Sequence, residues 1–481
     1  MERESFTSRW GFILSGLGMA IGAGNIWRFP RVAAQNGGGS FLIAWMIALF
    51  MWSIPIIILE FAIGRKTRAG VVKSFGMICG GQYCWMGGFV AFCTMAIMFY
   101  YSVVTGWFIR YAIGSLKSSI LHSDPQIFWK RFISGFEPLF FHIISFLLAG
   151  LVVAFGIEGG IERINKILIP LLFLLMFIAA LRSIFLPDSI KGIRYLFFPK
   201  IENLFDYKTW LSAISQSAWS VGPGWGLILT YAVYSRNEDI VSSSLIIGLG
   251  NNLASILAGI AVLCTLFSFL PQDEAFKAVS SGNVGLTFIW LPSLFKKITS
   301  AYLFTSIFFI SLFFAAFSSL IAMIELAVRV IMDMGYERRK AVVFVVVLGI
   351  IFGIPSAISI EFLCNQDWVW GIGLLLSGFF FCLASIRYGI SDFRKDLINP
   401  HERKIKVGSW FDVLVKYVIP LEFAGLIFWW FYKAVMLFEK WWNPFCKYSL
   451  GTCIFQWGIL IFLLLILNDK IAKRYKLKKI P

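Results

Sequence analysis

Histidine is almost missing from this chain, with three in 481 residues. No histidine-based metal centre or imidazole relay is suggested by so few. Charged residues make up 14%, well below the quarter or so of an ordinary soluble domain, so a solvated surface of the usual kind is excluded. The eight cysteines are scattered without metal-like spacing. Cys79, Cys84, Cys93, Cys264 and Cys382 lie in or near apolar runs. Cys446 and Cys453 fall in a loop and at the start of the last run, where they form a candidate disulfide. No P-loop and no nucleophile–base motif is present, which argues against an enzyme. A cleavable signal peptide is not expected, because the apolar segment behind the short charged N-terminus is long and lacks a small-residue cleavage pattern.

What is there is apolar. Hydrophobic residues reach 59% and mean hydropathy is +0.79. Stretches without Asp, Glu, Lys or Arg run over 32–59, 74–109, 138–157, 209–235, 240–272, 298–324, 341–360 and 448–468. Each is long enough for a hydrocarbon core of about 30 Å, which takes roughly 20 helical residues. Shorter or interrupted spans fit at 11–30, 164–185, 367–387 and 410–433. The sum is twelve, and an even number puts both termini on one side. Basic residues gather on that side: Arg3, Arg9, Arg65, Lys66, Arg68, Lys73, Arg163, Lys166, Arg236, Arg338 to Lys340, Arg387 to Lys406 and Lys470 to Lys479. It is therefore expected to be cytoplasmic. The net charge of +17 is read as this bias and as lipid contact, not as nucleic-acid binding. The larger outer connections are 113–137, 186–207 and 273–297, and 388–408 is a polar cytoplasmic linker.

Two of the apolar stretches open at glycine-rich centres. One is Gly18-Met19-Ala20-Ile21-Gly22-Ala23-Gly24-Asn25; the other is Ser220-Val221-Gly222-Pro223-Gly224-Trp225-Gly226. A helix broken at mid-membrane exposes backbone N–H and C=O groups that must meet a cavity, an ion or a polar ligand. A pair of such breaks, one in each half of a chain, points to the substrate and sodium site of a secondary transporter.

The first break continues into Gly24-Asn25-Ile26-Trp27-Arg28-Phe29-Pro30, followed by Asn36-Gly37-Gly38-Gly39-Ser40-Phe41. With the opening run Arg3 to Leu14, this resembles the neurotransmitter:sodium symporter family, on the side of its prokaryotic amino-acid transporters. The resemblance extends from residue 3 to about 390 and loosely to the end. It implies an all-α polytopic membrane protein of twelve transmembrane helices in the prokaryotic inner membrane, as monomer or homodimer. Its core would be two inverted five-helix repeats, residues 1–190 and 205–390, with helices 1 and 6 unwound at mid-membrane. Residues 409–481 would form two peripheral helices and a basic tail. No direct repeat between the halves is readable in the sequence.

The resemblance also implies roles. A substrate would sit among Ala20, Gly22, Gly24, Ile97, Tyr101, Trp219, Ser220, Gly222, Trp225, Ser319 and Met323, with the Tyr101 hydroxyl on its carboxylate and Trp219 as an aromatic lid. Monoamine members carry aspartate at the Gly22 position, so glycine there fits a substrate that brings its own carboxylate. The pocket offers no charge to pair with a charged side chain, so a neutral, hydrophobic amino acid is expected. Two sodium ions are implied. The first would use Ala20, Asn25, Ser220 and Asn251; the second Gly18, Ile21, Ala315, Ser318 and Ser319. Chloride is left open: Ser255, with Gln216 and Ser220, resembles the chloride-using members, whereas Trp45 replaces a tyrosine that helps bind the anion.

Arg28 and Asp367 match the family's outer gate, and Arg3, Phe6, Tyr234 and Asp333 its inner one. Phe6 replaces the usual tryptophan, so a weaker plug is expected. Gly160 and Pro170 match a glycine-proline motif whose unwinding opens a water path to the inner sodium site. Together these imply sodium-coupled symport by alternating access. A non-transporting amino-acid sensor and a sodium-conducting channel of the same fold are the competing readings.

Overall fold

A computed structural model describes residues 4–236, 238–400 and 405–477. Twelve helical spans follow one another: α1 (9–35, broken), α2 (Gly39–Thr67), α3 (Gly81–Leu116), α4 (Glu137–Ala154), α5 (Ile157–Ile184), α6 (207–232, broken), α7 (Ile240–Phe269), α8 (Ala301–Asp333), α9 (Arg338–Ile358), α10 (Ile360–Tyr388), α11 (410–437) and α12 (Leu450–Arg474). Among the described residues, nine of them are long and apolar enough to cross a membrane as they stand. The other three are α1 and α6, which are broken, and α11, which carries Lys416, Glu422 and Lys433. The described residues are thus largely helical over the expected spans, with nine of the twelve long and apolar enough to cross a membrane unbroken and two more interrupted at their centres.

Burial sorts the spans into centre and rim. The apolar window of α8 is 83% buried and those of α3 and α10 are 78%, whereas that of α12 is only 17% buried and lies at the rim. The central spans therefore read as near-continuous apolar helices, since buried and lipid-facing surfaces both exclude charge.

Several boundaries differ from the sequence expectation. The run 32–59 does not begin a span: residues 29–35 close α1, and Gly37 and Gly38 turn the chain with φ of +85° and +54°. The run 74–109 is split, because Val71–Cys79 is a separate short helix and Gly80, with φ +98°, turns into α3. Helix α8 continues past 324, so Glu325 and Arg329 ride on it. Helix α10 begins at Ile360, before the expected 367. The outer connections are themselves helical over Pro125–Ile133 and Gly282–Phe295. Aromatic rings tie them together: Trp129 stacks on Phe288 at 4.7 Å, and Tyr111 meets Phe288 at 4.6 Å. Cys446 and Cys453 are both free thiols, so the candidate disulfide is not formed.

Candidate functional site

Helix α1 starts at a Ser8 cap, whose hydroxyl accepts from Gly11 N at 3.1 Å, and its first half stops at Ala20. Ile21 is extended, and the chain resumes as a π-helical turn over Gly24–Arg28. The freed backbone finds side chains. Gly22 N donates to Asn25 Oδ1 at 3.0 Å, and Ala23 N donates to the Tyr101 hydroxyl at 2.9 Å. Helix α6 stops at Ser220 and restarts at Leu227. Between them Gly222, Gly224 and Gly226 take φ of +85°, +86° and +76°, a region closed to most other residues. A methyl on Gly224 would meet Gly378 N at 2.6 Å, so α10 packs directly on this break.

Glu60 holds the second break. It is fully buried on α2, and its Oε1 accepts from Gly224 N at 2.5 Å. A buried acid thus replaces the helical carbonyl that this N–H lost. The sequence reading passed over Glu60, although an acid at the end of an uncharged run is itself a signal of intramembrane function.

The two breaks face one cavity of about 580 Å³. All eleven expected substrate residues line it: Ala20, Gly22, Gly24, Ile97, Tyr101, Trp219, Ser220, Gly222, Trp225, Ser319 and Met323. A methyl added to Gly22 would sit 2.9 Å from the Tyr101 hydroxyl and 3.2 Å from Ser319 Oγ, so only glycine leaves that space open. The same cavity runs outward past Arg28 and Asp367 to Trp368 and Trp430. Among the described residues no ion pair joins Arg28 to Asp367: the guanidinium lies over the Trp219 ring at 4.9 Å, and the carboxylate accepts from the Tyr100 hydroxyl at 2.9 Å. The outer side is open in this conformation.

Two clusters of oxygens flank the cavity floor. In the first, Asn251 Oδ1 lies 3.1 Å from Ala20 O and 3.0 Å from Ser220 O, and Asn25 Nδ2 donates to Asn251 Oδ1 at 2.8 Å. Carbonyl oxygens crowded this closely repel unless the amide rotates or a cation joins them. In the second, Ser319 Oγ lies 3.2–3.4 Å from the carbonyls of Gly18, Met19, Ile21 and Ala315. Ser318 Oγ donates back to Ala315 O at 3.1 Å. The structure therefore assembles both expected ligand sets from α1, α6, α7 and α8, with Met19 added. Of the anion candidates, Ser255 Oγ accepts from Asn25 Nδ2 at 2.8 Å. Both amide atoms of Gln216 and the indole N–H of Trp45 are buried without a hydrogen-bond partner among the described residues.

On the face opposite the cavity's opening, Phe6 and Tyr234 of the expected inner gate meet a cluster of charges that the sequence did not single out. Arg3 lies outside the described residues. Asp333 pairs with Arg329 on its own helix at 2.6 Å and accepts from Gly70 N at 2.5 Å. The central cation is Arg338, at the start of α9. It bonds Glu325 of α8 and Glu4 of the N-terminal segment, both at 2.5 Å, and the Tyr234 hydroxyl at 3.2 Å. Tyr234 in turn donates to Glu325 at 2.6 Å. Phe6 is fully buried, donates its N–H to Tyr234 O at 3.1 Å, and packs edge-on against Phe12 and Tyr231. Glu4, Glu325 and Arg338 were missed in the sequence because their partners lie far apart in the chain. Gly160 falls in a π-helical turn over Ile157–Glu162, and Pro170 sits inside the regular helix that follows.

Comparison with known proteins gives the family and the fold. A family profile described as the sodium:neurotransmitter symporter family matches residues 3–131 and 138–472. A sodium-dependent transporter of Methanocaldococcus jannaschii, described as uncharacterized, is 34% identical, with 89% of this chain and 90% of that protein covered. The sodium-dependent serotonin transporter of Drosophila melanogaster is 25% identical, with 94% of this chain and 80% of that protein covered. Among solved structures, that of MhsT in complex with L-phenylalanine superposes with a TM-score of 0.77 at 28% identity, covering 89% of this chain and 99% of the other.

Proposed function

The chain belongs to the sodium:neurotransmitter symporter family, and on that premise we propose that it carries a neutral, hydrophobic amino acid across the membrane with sodium, by alternating access. The observation that carries the substrate class is the cavity floor. Gly22 leaves room for a carboxylate beside the Tyr101 hydroxyl, and the walls above are Ile97, Met323, Trp219 and Trp225. An ammonium group is met by the carbonyls freed at the two breaks, and a carboxylate by the N–H groups and a sodium ion. The solved relative MhsT, with L-phenylalanine bound, supports the same class.

Two sodium ions are cargo in this reading. The first joins Ala20, Asn25, Ser220 and Asn251 with the substrate carboxylate, so that neither ligand is well held without the other. The second joins Gly18, Ile21 and Ala315 with Ser318 and Ser319, and ties α1 to α8. Filling both orders the breaks. Trp219 then closes over the substrate, Arg28 approaches Asp367, and release of the inner charges around Arg338 opens the other side. The sodium gradient and membrane potential supply the free energy, about 2.3 kcal/mol per charge per 100 mV. Both termini are cytoplasmic. A chloride ion at Gln216, Ser220 and Ser255 is favoured by the unmet amide N–H of Gln216, since no carboxylate stands at Ser255 to balance the first sodium.

Uptake into proteoliposomes tests this. They are loaded with potassium, given an inward sodium gradient, and offered labelled L-phenylalanine and L-leucine against the other neutral amino acids. Concentrative uptake of one group is expected, and its loss when gluconate replaces chloride would support the anion. Sodium current without accumulation would establish the channel reading. Binding without accumulation would establish the sensor. Neither binding nor uptake would remove the amino-acid assignment made from Gly22.

A further inference from the structure

Asn165 sits on α5, in the first turn after the π-helical segment, and is fully buried. Neither its Oδ1 nor its Nδ2 has a hydrogen-bond partner among the described residues. A buried amide with both ends unmet is costly, and an apolar side chain of the same shape would be the cheaper occupant. Its position gives it a use. A methyl on Gly18 would fall 2.5 Å from Asn165 Oδ1 and 3.2 Å from Ser318 Cβ. The amide therefore lies against the bare backbone of Gly18, whose carbonyl belongs to the oxygen cluster around Ser319.

One turn back on the same face of α5 is Glu162. Its carboxylate accepts from Thr7 N at 2.8 Å and pairs with Lys166, which is 41% exposed, at 2.7 Å. A series of oxygens thus leads along α5 from the cluster around Ser319, through Asn165, to a carboxylate at the cytoplasmic end of α1.

We propose that Asn165 Oδ1 is a transient sodium ligand on the inner side of the second cluster, the first oxygen a departing ion meets. A neutral amide suits the task, because it replaces a lost water or carbonyl without trapping the cation as a carboxylate would. The π-helical turn just before it is where the backbone loosens most readily to admit water behind the ion. The inference rests on the symporter reading above and adds a route for its cargo.

The test compares wild type with Asn165→Leu, which keeps the volume and removes the oxygen. Three quantities are measured on the full chain: thermal stability, equilibrium binding of radiolabelled sodium to purified protein, and sodium-driven uptake of L-phenylalanine and L-leucine into proteoliposomes. N165L is expected to be at least as stable as wild type and to bind sodium within about twofold, yet to turn over about tenfold more slowly, since a lost station raises the barrier to exit and leaves the bound state alone. Uptake by N165L at the wild-type rate would overturn the proposal. So would a loss of equilibrium sodium binding as large as the loss of rate, which would make Asn165 a support of the cluster only. Should N165L fail to fold, N165M carries the same comparison. Failure of the symporter reading is separately visible, because wild type would then accumulate neither amino acid.

Discussion

Single atoms decide the chemistry at the cavity floor. Gly22 matters for the Cβ it lacks. Gly22→Ala would place a methyl against the Tyr101 hydroxyl and Ser319 Oγ, where the substrate carboxylate is proposed to lie. We expect substrate affinity to fall at least about tenfold, because the methyl takes the space proposed for the carboxylate and forces the Tyr101 hydroxyl aside; equilibrium binding with and without sodium measures this, and an unchanged affinity would remove the carboxylate from that space. Ser319→Ala removes the one hydroxyl that faces four carbonyls. It should raise the sodium concentration for half-maximal uptake about tenfold or more, the loss of a ligand worth at least about 1.4 kcal/mol, and an unchanged sodium dependence would remove Ser319 from the ion site. Both positions are expected at the site through the family resemblance, which a glycine-rich break and a serine pair carry. Glu60, Glu325 and Asn165 are not, since a lone polar residue in an apolar run carries no spacing that names its partner. Only the fold brings Gly224 to Glu60 and Arg338 to Glu325.

Whole elements explain why the breaks persist. The second break needs three left-handed glycines, and at Gly224 the backbone of α10 closes off any side chain. Gly224→Val would add both a strained dihedral and a collision with Gly378 N. Such a position costs about 1–3 kcal/mol for the dihedral alone, so reduced expression and a lower melting temperature are expected, and a stable, active variant would show that the break tolerates a different path. On the face opposite the cavity's opening, Arg338 fastens α9 to α8 and to the N-terminal segment. Its removal leaves Glu325 buried without its cation, a loss of about 3–5 kcal/mol by analogy with other buried pairs. Arg338→Ala should therefore favour the inward-open form, read as faster labelling of a cysteine placed at Thr7, and unaltered labelling would show that the network does not hold the inner side shut. Spans were easier to read than their ends. Hydropathy marks where a helix can lie, but Gly37, Gly38 and Gly80 set where it stops, and a run of apolar residues does not distinguish one span from the short helix beside it.

At the scale of the molecule, a cavity that runs past Arg28 and Asp367 and a charge cluster fastening the opposite face fit one state of a transport cycle. The long apolar helices and the two broken ones are legible in the sequence, because a bilayer imposes length and polarity on every span that crosses it. Of the expected inner pair, Arg3 lies outside the described residues and Asp333 pairs with Arg329, while Arg338, Glu325 and Glu4 form a second cluster on the same face. The claim that joins the scales is that the oxygen clusters and the carboxylate space make sodium and substrate bind as one unit. Its most direct measurement is the simultaneous flux of radiolabelled sodium and labelled L-phenylalanine into proteoliposomes. A fixed ratio of more than one sodium per amino acid, with each flux abolished when the other solute is withheld, is the predicted result. Sodium entry that continues unchanged without amino acid, or amino-acid entry that ignores sodium, would contradict it.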